Sequence, residues 1–229
     1  MTLQATIWSG RKHAEEAVSR ALLELTGVDR RLWLVHNLEQ VCRLISLAPG
    51  IEFKRITGGS VPQYGDRGAH TLGVLRAVEQ LWPELVEADC DVLLVDDDCQ
   101  VPTATVERLR SCCQPGVYAA SGLTRCNDGG LSVFQFSPPH RQMDSVPPEP
   151  VQVEAVGTPC FYLTRDGLRA LRDAGYQPAA SIPGRKEQGW DLHLCWSIAQ
   201  AGGRIMLDPS VRCRHWVECA PGTVRVIEV

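Results

Sequence analysis

The sequence has few aromatic residues, no strong excess of basic charge and no long apolar run. Of its 229 residues 6% are aromatic, and the formal net charge is −4, so no overall basic field points to nucleic acid. No segment approaches the roughly 20 apolar residues that a membrane-spanning helix needs, and the first residues are too polar for a signal peptide. We find no internal repeat and no heptads. These absences favour an ordinary cytoplasmic globular protein without a membrane span.

The ten cysteines lack the compact, regular spacing of a secreted disulfide scaffold, and a chain of this length needs no such scaffold. We therefore expect a reduced protein with mostly buried thiols. His193, Cys195, Cys213, His215 and Cys219 are zinc-type ligands, but none forms a Cys-x2-Cys pair. His193 and Cys195 would also diverge by about 200° on a helix. The spacing argues against a zinc site.

Strand and helix patterns alternate in the first half of the chain. This order predicts a mostly parallel sheet with helices on both faces. The predicted strands are Gln4–Trp8, Arg31–His36, Ile51–Ile56 and Val92–Val95, and the predicted helices are Lys12–Leu25, Leu38–Leu47, about Ala69–Leu81 and about Thr103–Cys112.

The sequence pattern of the second half of the chain predicts additions to this sheet. Val117–Leu123 and Leu131–Phe136 are typical of antiparallel strands, whereas Ser137–Pro150 is Pro-rich and predicts a loop. Further strands are predicted at Val151–Val156, Cys160–Leu163 and Arg204–Leu207, with helices at about Arg165–Ala174 and Trp190–Ala201. We expect one α/β domain over residues 1–229, with a mostly parallel, Rossmann-like central sheet flanked by helices and a small antiparallel addition.

Three carboxylates, Asp96, Asp97 and Asp98, directly follow the apolar run Val92–Val95. Like charges this close repel one another, and a hard cation such as Mg²⁺ or Mn²⁺ would relieve the repulsion. The carboxyl end of a strand is also where ligands bind in an open α/β sheet. The run predicts a metal and phosphate site, and the alternative is a solvated acidic turn.

Two further residues stand at positions suited to chemistry. Asp191 begins a predicted helix after a polar loop, where a carboxylate can serve as a helix cap or as a base. His215 ends a predicted strand near the C-terminus, where a histidine is either structural or a metal ligand.

Together these stretches resemble the GT-A fold glycosyltransferases, especially the compact family 2-like enzymes. The similarity covers roughly residues 5–216 and combines an Asp-x-Asp motif after the fourth strand with three later motifs in the family's order. These stretches are Val95–Asp98, Val153–Thr158, Trp190–Cys195 and Gly203–His215. Trp190 stands where the family often has Glu, and a Pro-x-Tyr-Asn stretch is absent after the first strand.

The resemblance implies a role for each matching residue. Asp191 would be the general base, and Asp96, Asp98 and His215 would hold Mn²⁺ or Mg²⁺. Contacts to the nucleotide sugar would come from the cofactor-binding residues Ser9, Gly10, Asn37, Asp96, Asp97, Gly157 and Thr158. Residues 1–115 would form the nucleotide-binding half and residues 116–229 the acceptor-side half.

The expected activity is metal-dependent, inverting transfer of a sugar from a nucleotide-sugar donor, a UDP-sugar, to an acceptor hydroxyl. The acceptor would be a saccharide or, by similarity to phage glycosyltransferases, a hydroxymethylated cytosine in DNA, which would have to flip out of the duplex. In that case the host cytoplasm would be its location. Arg185, Lys186, Arg204, Arg212 and Arg214 could contact phosphates or form a solvated face.

Two other functions remain open from the sequence. A nucleotidyltransferase could use a similar sheet and similar metal carboxylates, although Ser9–Lys12 only faintly matches its Gly-rich basic loop. A non-catalytic nucleotide- or sugar-binding module would bind ligand without turnover. Such a module would not need the acid cluster, Asp191 and His215 together.

Overall fold

The computed structural model describes residues 1–8, 13–57, 67–136, 141–179, 182, 189–220 and 223–229, with backbone alone at 67–74 and 220. The helices are Glu15–Glu24 (α1), Leu38–Leu47 (α2), Arg67–Glu87 (α3), Thr105–Ser111 (α4), Arg165–Asp173 (α5) and Trp190–Gln200 (α6). The strands are Thr2–Trp8 (β1), Arg30–Val35 (β2), Glu52–Arg55 (β3), Asp91–Asp96 (β4), Cys99–Gln100 (β5), Val117–Leu123 (β6), Val133–Gln135 (β7), Arg141–Gln142 (β8), Val151–Val153 (β9), Ala155–Val156 (β10), Cys160–Leu163 (β11), Arg204–Arg212 (β12), Arg214–Ala220 (β13) and Thr223–Ile227 (β14).

An eight-stranded central sheet has the order β3-β2-β1-β4-β11-β6-β12-β9. The first four strands are parallel and are joined by helices. Val92–Val95 of β4 is buried throughout, as expected for a strand covered by helices on both faces. The predicted fold class, with a mostly parallel sheet flanked by helices, is confirmed.

The strand order reverses between β1 and β4, where Ile7 pairs with Asp96. In open α/β sheets, ligands bind outside the carboxyl ends of the strands at such a switch point. The acid cluster follows β4 directly, so the topology places it at this switch point.

The prediction that Val117–Leu123 is an antiparallel addition is wrong. This segment is β6, which lies inside the central sheet and runs parallel to β12. Its antiparallel neighbour is β11, which is inserted between β4 and β6. Because β11 comes later in the chain, local sequence pattern around β6 carries no sign of this arrangement.

Two small antiparallel sheets complete the fold, with orders β10-β7-β8 and β14-β13-β5. The predicted strand Leu131–Phe136 forms β7 in the first of them, and the described part of the Pro-rich segment contains β8. The sequence analysis did not predict β5, β13 or β14, and it ended β12 at Leu207 instead of Arg212. The second small sheet carries His215, and its pairing with β5 brings that residue to the acid cluster.

Helix α3 extends beyond its predicted end at Leu81, past Pro83, to Glu87. Leu81 and Leu85 lie one helical turn apart and are both 1% exposed in the main core cluster. Burial of these two side chains outweighs the backbone hydrogen bond that proline removes. In the described part of the chain, no helix is both long and apolar enough to cross a membrane.

All ten cysteines are free, and five of them are buried: Cys90, Cys99, Cys160, Cys195 and Cys213. Burial raises the pKa of Cys195 to about 12, so this thiol stays protonated and acts as a small apolar side chain.

Candidate active site

The acid cluster forms the turn between β4 and β5. Asp96 ends β4, and its backbone N–H donates to the carbonyl of Pro159 at 3.1 Å. Asp97 and Asp98 are only 2% and 5% exposed. Buried carboxylates are costly without compensating partners, so a simple solvated acidic turn does not describe this segment.

His36 shares this edge of the sheet, directly after β2. It is buried, and its Nδ1 has no hydrogen-bond partner among the described residues. Burial lowers the pKa of His36, and the negative charge of Asp97 partly opposes that shift. A neutral imidazole therefore faces the cluster at neutral pH.

His215 is held between Asp98 and the backbone. Its Nδ1 lies 2.8 Å from the carbonyl of Arg125, and its Nε2 lies 3.1 Å from Oδ2 of Asp98. A carbonyl only accepts hydrogen bonds, so Nδ1 carries a proton, and a neutral ring then presents the Nε2 lone pair to a carboxylate. Two acceptors at this distance require a proton between them, carried by the ring or by the carboxyl group, or a shared cation.

This donor set fits a divalent metal in part. Asp98 and His215 offer an oxygen and a nitrogen, and a metal-bound histidine commonly donates its other N–H to a backbone carbonyl. Among the described residues, no group of three or more His, Cys, Asp or Glu side chains could hold a metal ion. Mg²⁺ typically takes only one or two protein carboxylates together with substrate phosphates and water.

A cavity of about 360 Å³ opens beside these residues. It is bounded by the ends of β1 and β4, by helices α3 and α6, and by the loops after β6 and β10. Its polar lining residues include Asp96, Asp97, Arg125, Asn127, Ser132, Thr158, Asp191 and His215. Residues predicted from four separate stretches of sequence thus border one space.

Asp191 lies in the first turn of α6, after Gly189 at the N-cap position. The backbone N–H of Leu192 donates to its Oδ1 at 2.8 Å. The carboxyl group borders the cavity, yet the surrounding protein excludes enough water to raise its pKa, and the backbone N–H groups only partly offset this. A carboxylate with a raised pKa accepts a proton more readily, as a general base must.

Two glycines make room around this carboxylate. A β-carbon on Gly189 would overlap Oδ1 of Asp191, and one on Gly157 would overlap the hydroxyl of Ser132 and lie 3.6 Å from Oδ2 of Asp191. Gly157 also donates its N–H to the carbonyl of Ser132 at 3.1 Å. Larger residues at either position would displace the base or narrow the cavity.

Other predicted residues lie elsewhere. Ser9, Gly10, Arg185 and Lys186 fall outside the described residues. Asn37 is the N-cap of α2, where its Oδ1 accepts from the backbone N–H of Gln40 at 2.9 Å. It is not among the residues that line the cavity.

The three described arginines of the predicted basic set all contact the chain itself. Arg204 donates to the carbonyl of Pro115, Arg212 donates to the carbonyl of Val229, and Arg214 pairs with Glu228. These contacts favour the solvated-face alternative over a surface prepared for phosphates.

Sequence reasoning missed Arg125, Asn127 and Ser132 among the polar residues of the cavity. Arg125 follows the end of β6, at the same edge of the sheet as the acid cluster. A prediction that β6 lies inside the central sheet would have identified Arg125, because residues that follow the strands at this edge contact ligands. The aromatic residues Trp82 and Tyr176 also line the cavity, and no motif marks them.

Two of the zinc-type residues have other contacts. Cys195 donates to the carbonyl of Val156, and His193 stacks on Tyr176 with ring centroids 5.2 Å apart.

No protein-family model matches the chain, and a search of curated proteins finds no match. Among solved structures, the chain is similar to A197 from STIV, with 12% identity, a TM-score of 0.57, and 99% of this chain and 93% of that chain covered. It is also similar to a 4-diphosphocytidyl-2C-methyl-D-erythritol synthase, with 14% identity, a TM-score of 0.51, and coverage of 91% and 88%. The same enzyme from Anaerococcus prevotii DSM 20548 shows 8% identity, a TM-score of 0.52, and coverage of 90% and 86%. At these identities the likeness shows a shared fold.

Proposed function

We propose that this chain is a metal-dependent glycosyltransferase of the GT-A type, moving a sugar from a UDP-sugar to an acceptor hydroxyl with inversion. One observation carries the proposal. The desolvated carboxylate of Asp191 and the Asp96 and His215 side chains border the same cavity, beside the switch point of the sheet. Such an arrangement provides a base and a charge-neutralising site on either side of a reacting carbon.

The donor diphosphate would lie against the acid cluster. Asp98 and His215, with Asp96, would hold Mn²⁺ or Mg²⁺. When bound, the metal neutralises the negative charge that develops on the leaving nucleoside diphosphate. Arg125, which also borders the cavity, adds a fixed positive charge on the protein side. Gly157 and Thr158 would border the sugar, with Asp96 and Asp97 near the ribose. Contacts of Ser9, Gly10 and Asn37 to the base remain part of the proposal.

The acceptor hydroxyl would lose its proton to Asp191. Deprotonation in step with attack needs a base within hydrogen-bond reach, and a raised pKa brings that base closer to neutrality. A single base opposite the leaving group suits one displacement with inversion. The candidate acceptors from the sequence are a saccharide and a hydroxymethylated base, and the mechanism itself requires only an alcohol hydroxyl.

A second candidate is a nucleotidyltransferase. Two of the similar solved structures are 4-diphosphocytidyl-2C-methyl-D-erythritol synthases, whose name describes a diphosphocytidyl product. That activity would consume a nucleoside triphosphate and release pyrophosphate. A glycosyltransferase instead releases a nucleoside diphosphate from a nucleotide sugar, so the released product separates the two.

The metal assignment is tested by thermal unfolding with UDP in the presence and absence of Mn²⁺. We expect UDP to stabilise the wild type only with Mn²⁺, by about 2.7 kcal/mol at a ligand concentration of 100 times Kd, or roughly 5–10 °C. Asp98→Asn and His215→Gln should each lose this shift, whereas Asp144→Asn, a change at an exposed aspartate, should keep it. An equal shift in the Asp98 and His215 variants would overturn the metal assignment.

A further inference from the structure

The residues that line the cavity fall into two chemically different groups. Asp96, Asp97, Arg125 and His215 form a charged group, and the second group is almost wholly apolar. We name this second group the apolar wall, and it comprises Val78, Leu81, Trp82, Leu85, Tyr176 and Leu194.

The apolar wall comes from α3, α6 and the segment that follows α5. Val78, Leu81 and Leu85 follow one another at helical spacing on α3, so they present one face to the cavity. Leu194 comes from α6, three residues after Asp191, and so lies on nearly the same face as the base. Water is poorly held by such a surface, because an ordered water needs two to four polar partners.

Tyr176 gives the apolar wall a single polar group. Its ring is 8% exposed and is fixed by an edge contact with Trp82 at 4.8 Å and by stacking on His193 at 5.2 Å. Its hydroxyl has no hydrogen-bond partner among the described residues. A buried hydroxyl without a partner is costly, and a ligand with one polar atom near the ring would satisfy it.

Asp191 adjoins the apolar wall. It lines the same cavity as Tyr176 and Leu194, and its negative charge acts on the Tyr176 hydroxyl. A hydroxyl presented to Asp191 therefore belongs to a molecule whose adjoining part meets apolar side chains.

We propose that the acceptor carries its reacting hydroxyl on an apolar body, as in an aromatic or branched aliphatic alcohol, and that this body packs against the apolar wall. The inference rests on the proposed transferase function. In the reaction the acceptor O–H proton passes to Asp191, and the acceptor oxygen bonds to the anomeric carbon. The bond from that carbon to the diphosphate oxygen breaks, and its electron pair leaves with the nucleoside diphosphate.

This assignment distinguishes between acceptor classes. A saccharide presents several hydroxyls, and a nucleobase presents several ring and exocyclic polar atoms. The apolar wall offers them only the Tyr176 hydroxyl, and unpaired polar groups of a bound ligand weaken binding. An apolar alcohol leaves no such groups unpaired.

The test measures binding directly, by calorimetry at fixed UDP and Mn²⁺, with benzyl alcohol, toluene, methyl glucoside and 5-hydroxymethylcytidine as probes. We expect benzyl alcohol to bind at least about tenfold more tightly than methyl glucoside or 5-hydroxymethylcytidine, the discrimination typical of an apolar pocket. Val78→Phe places a larger side chain in the space beside the apolar wall. It should weaken the binding of benzyl alcohol by about tenfold or more and leave the thermal shift with UDP and Mn²⁺ unchanged. Tyr176→Phe should weaken the binding of benzyl alcohol and leave the binding of toluene unchanged.

The outcomes separate this inference from the transferase proposal. Binding of UDP with Mn²⁺ but equal or tighter binding of methyl glucoside or 5-hydroxymethylcytidine would overturn the apolar acceptor and leave the transferase standing. Binding of benzyl alcohol without any nucleotide binding would overturn the acceptor role together with the transferase. If Val78→Phe does not fold, the ranking of probe affinities in the wild type and the comparison with Tyr176→Phe still test the apolar acceptor.

Discussion

Asp191, the proposed base, carries a cost in stability. Burial raises the pKa of its carboxyl group, and the Leu192 N–H is its main compensation. A purely structural cap would occupy the N-cap position, which here belongs to Gly189. Groups that destabilise the fold while serving the reaction are common in active sites.

The pH dependence of stability should reveal this cost. Burial raises the pKa of Asp191 in the folded state above its unfolded value of about 3.9, so the folded protein binds the proton more tightly. The group's contribution is favourable below that unfolded pKa and is lost as pH rises through the folded pKa. We expect Asp191→Asn to melt at a higher temperature than the wild type at pH 7, with the difference closing toward pH 4.

Thermal melts between pH 4 and pH 8 check this expectation, with Asp144→Asn as the control at an exposed aspartate. The control should show no difference that grows with pH. A wild type that is more stable than Asp191→Asn at pH 7 would show that the carboxylate stabilises the fold.

Residues in compact local patterns could be predicted from the sequence. Asp96–Asp98 follow an apolar run and Asp191 begins a helix, so these positions are visible within a few residues. The prediction that His215 ends a strand is wrong, because it is the second residue of β13. Arg125 and Tyr176 could not be found in this way, because their place at the cavity depends on how β6 and α5 join the sheet. A residue gains such a role from tertiary structure alone.

At the scale of elements, Pro83 shows how burial overrides a local signal. It lies inside α3 and is exposed, so its ring contributes little packing while its missing N–H leaves the helix one hydrogen bond short. The sequence pattern predicts that the helix ends before Pro83. In the structure the helix continues, because this places Leu85 in the core.

Replacing this proline should stabilise the protein. Pro83→Ala restores a helix hydrogen bond and removes the clash of the proline ring with the preceding turn, together about 3 kcal/mol. It also makes the unfolded chain more flexible, which lowers stability by about 0.4–1 kcal/mol. The first effect outweighs the second, and we expect a gain of about 2 kcal/mol, measured by urea unfolding. Glu87→Ala, at an exposed position on the same helix, should change stability by less than about 0.5 kcal/mol. A lower stability for Pro83→Ala would contradict this view of α3.

The strand pairing of β13 with β5 explains why the proposed metal site is only partly visible in the sequence. His215 and Asp98 are separated by 117 positions, and the register Arg214 to Gln100 and His215 to Cys99 brings them together. Because β5 has only two residues, its sequence carries too little pattern to predict this pairing.

For the molecule as a whole, both halves of the chain share one sheet. Tyr162 on β11 donates to Oδ2 of Asp91 on β4 at 2.6 Å and accepts from Arg110 of α4 at 3.1 Å. Burial and the neighbouring Asp91 carboxylate raise the pKa of Tyr162, so its hydroxyl keeps its proton. This buried network joins the first four strands to the inserted strand.

Tyr162→Phe should lower the free energy of unfolding of the whole domain and leave its unfolding cooperative. Removing the hydroxyl takes a partner from both Asp91 and Arg110, at a cost of about 1–3 kcal/mol. Unfolding should remain a single transition, because both halves form one continuous sheet through the pairing of β4 with β11. Denaturant unfolding followed by fluorescence and circular dichroism measures both quantities, and Tyr118→Phe on β6 is the matched control. Two separate transitions would show that the halves unfold independently.

The fold class could be predicted from alternating strand and helix patterns, which are local. The insertion of β11 and the small sheets could not, because they depend on pairings between distant segments. The resemblance to GT-A enzymes supplied the order of the site residues, and their position around one cavity is the observation on which the function rests.

The central claim is most directly tested by measuring nucleoside diphosphate release from a panel of UDP-, GDP-, ADP- and CDP-sugars with Mn²⁺ and an alcohol acceptor. We expect release from a UDP-sugar, dependent on Mn²⁺, reduced at least about 100-fold in Asp191→Asn while UDP binding is retained. Pyrophosphate release from a nucleoside triphosphate, with none of the nucleotide sugars cleaved, would contradict the account and identify a nucleotidyltransferase.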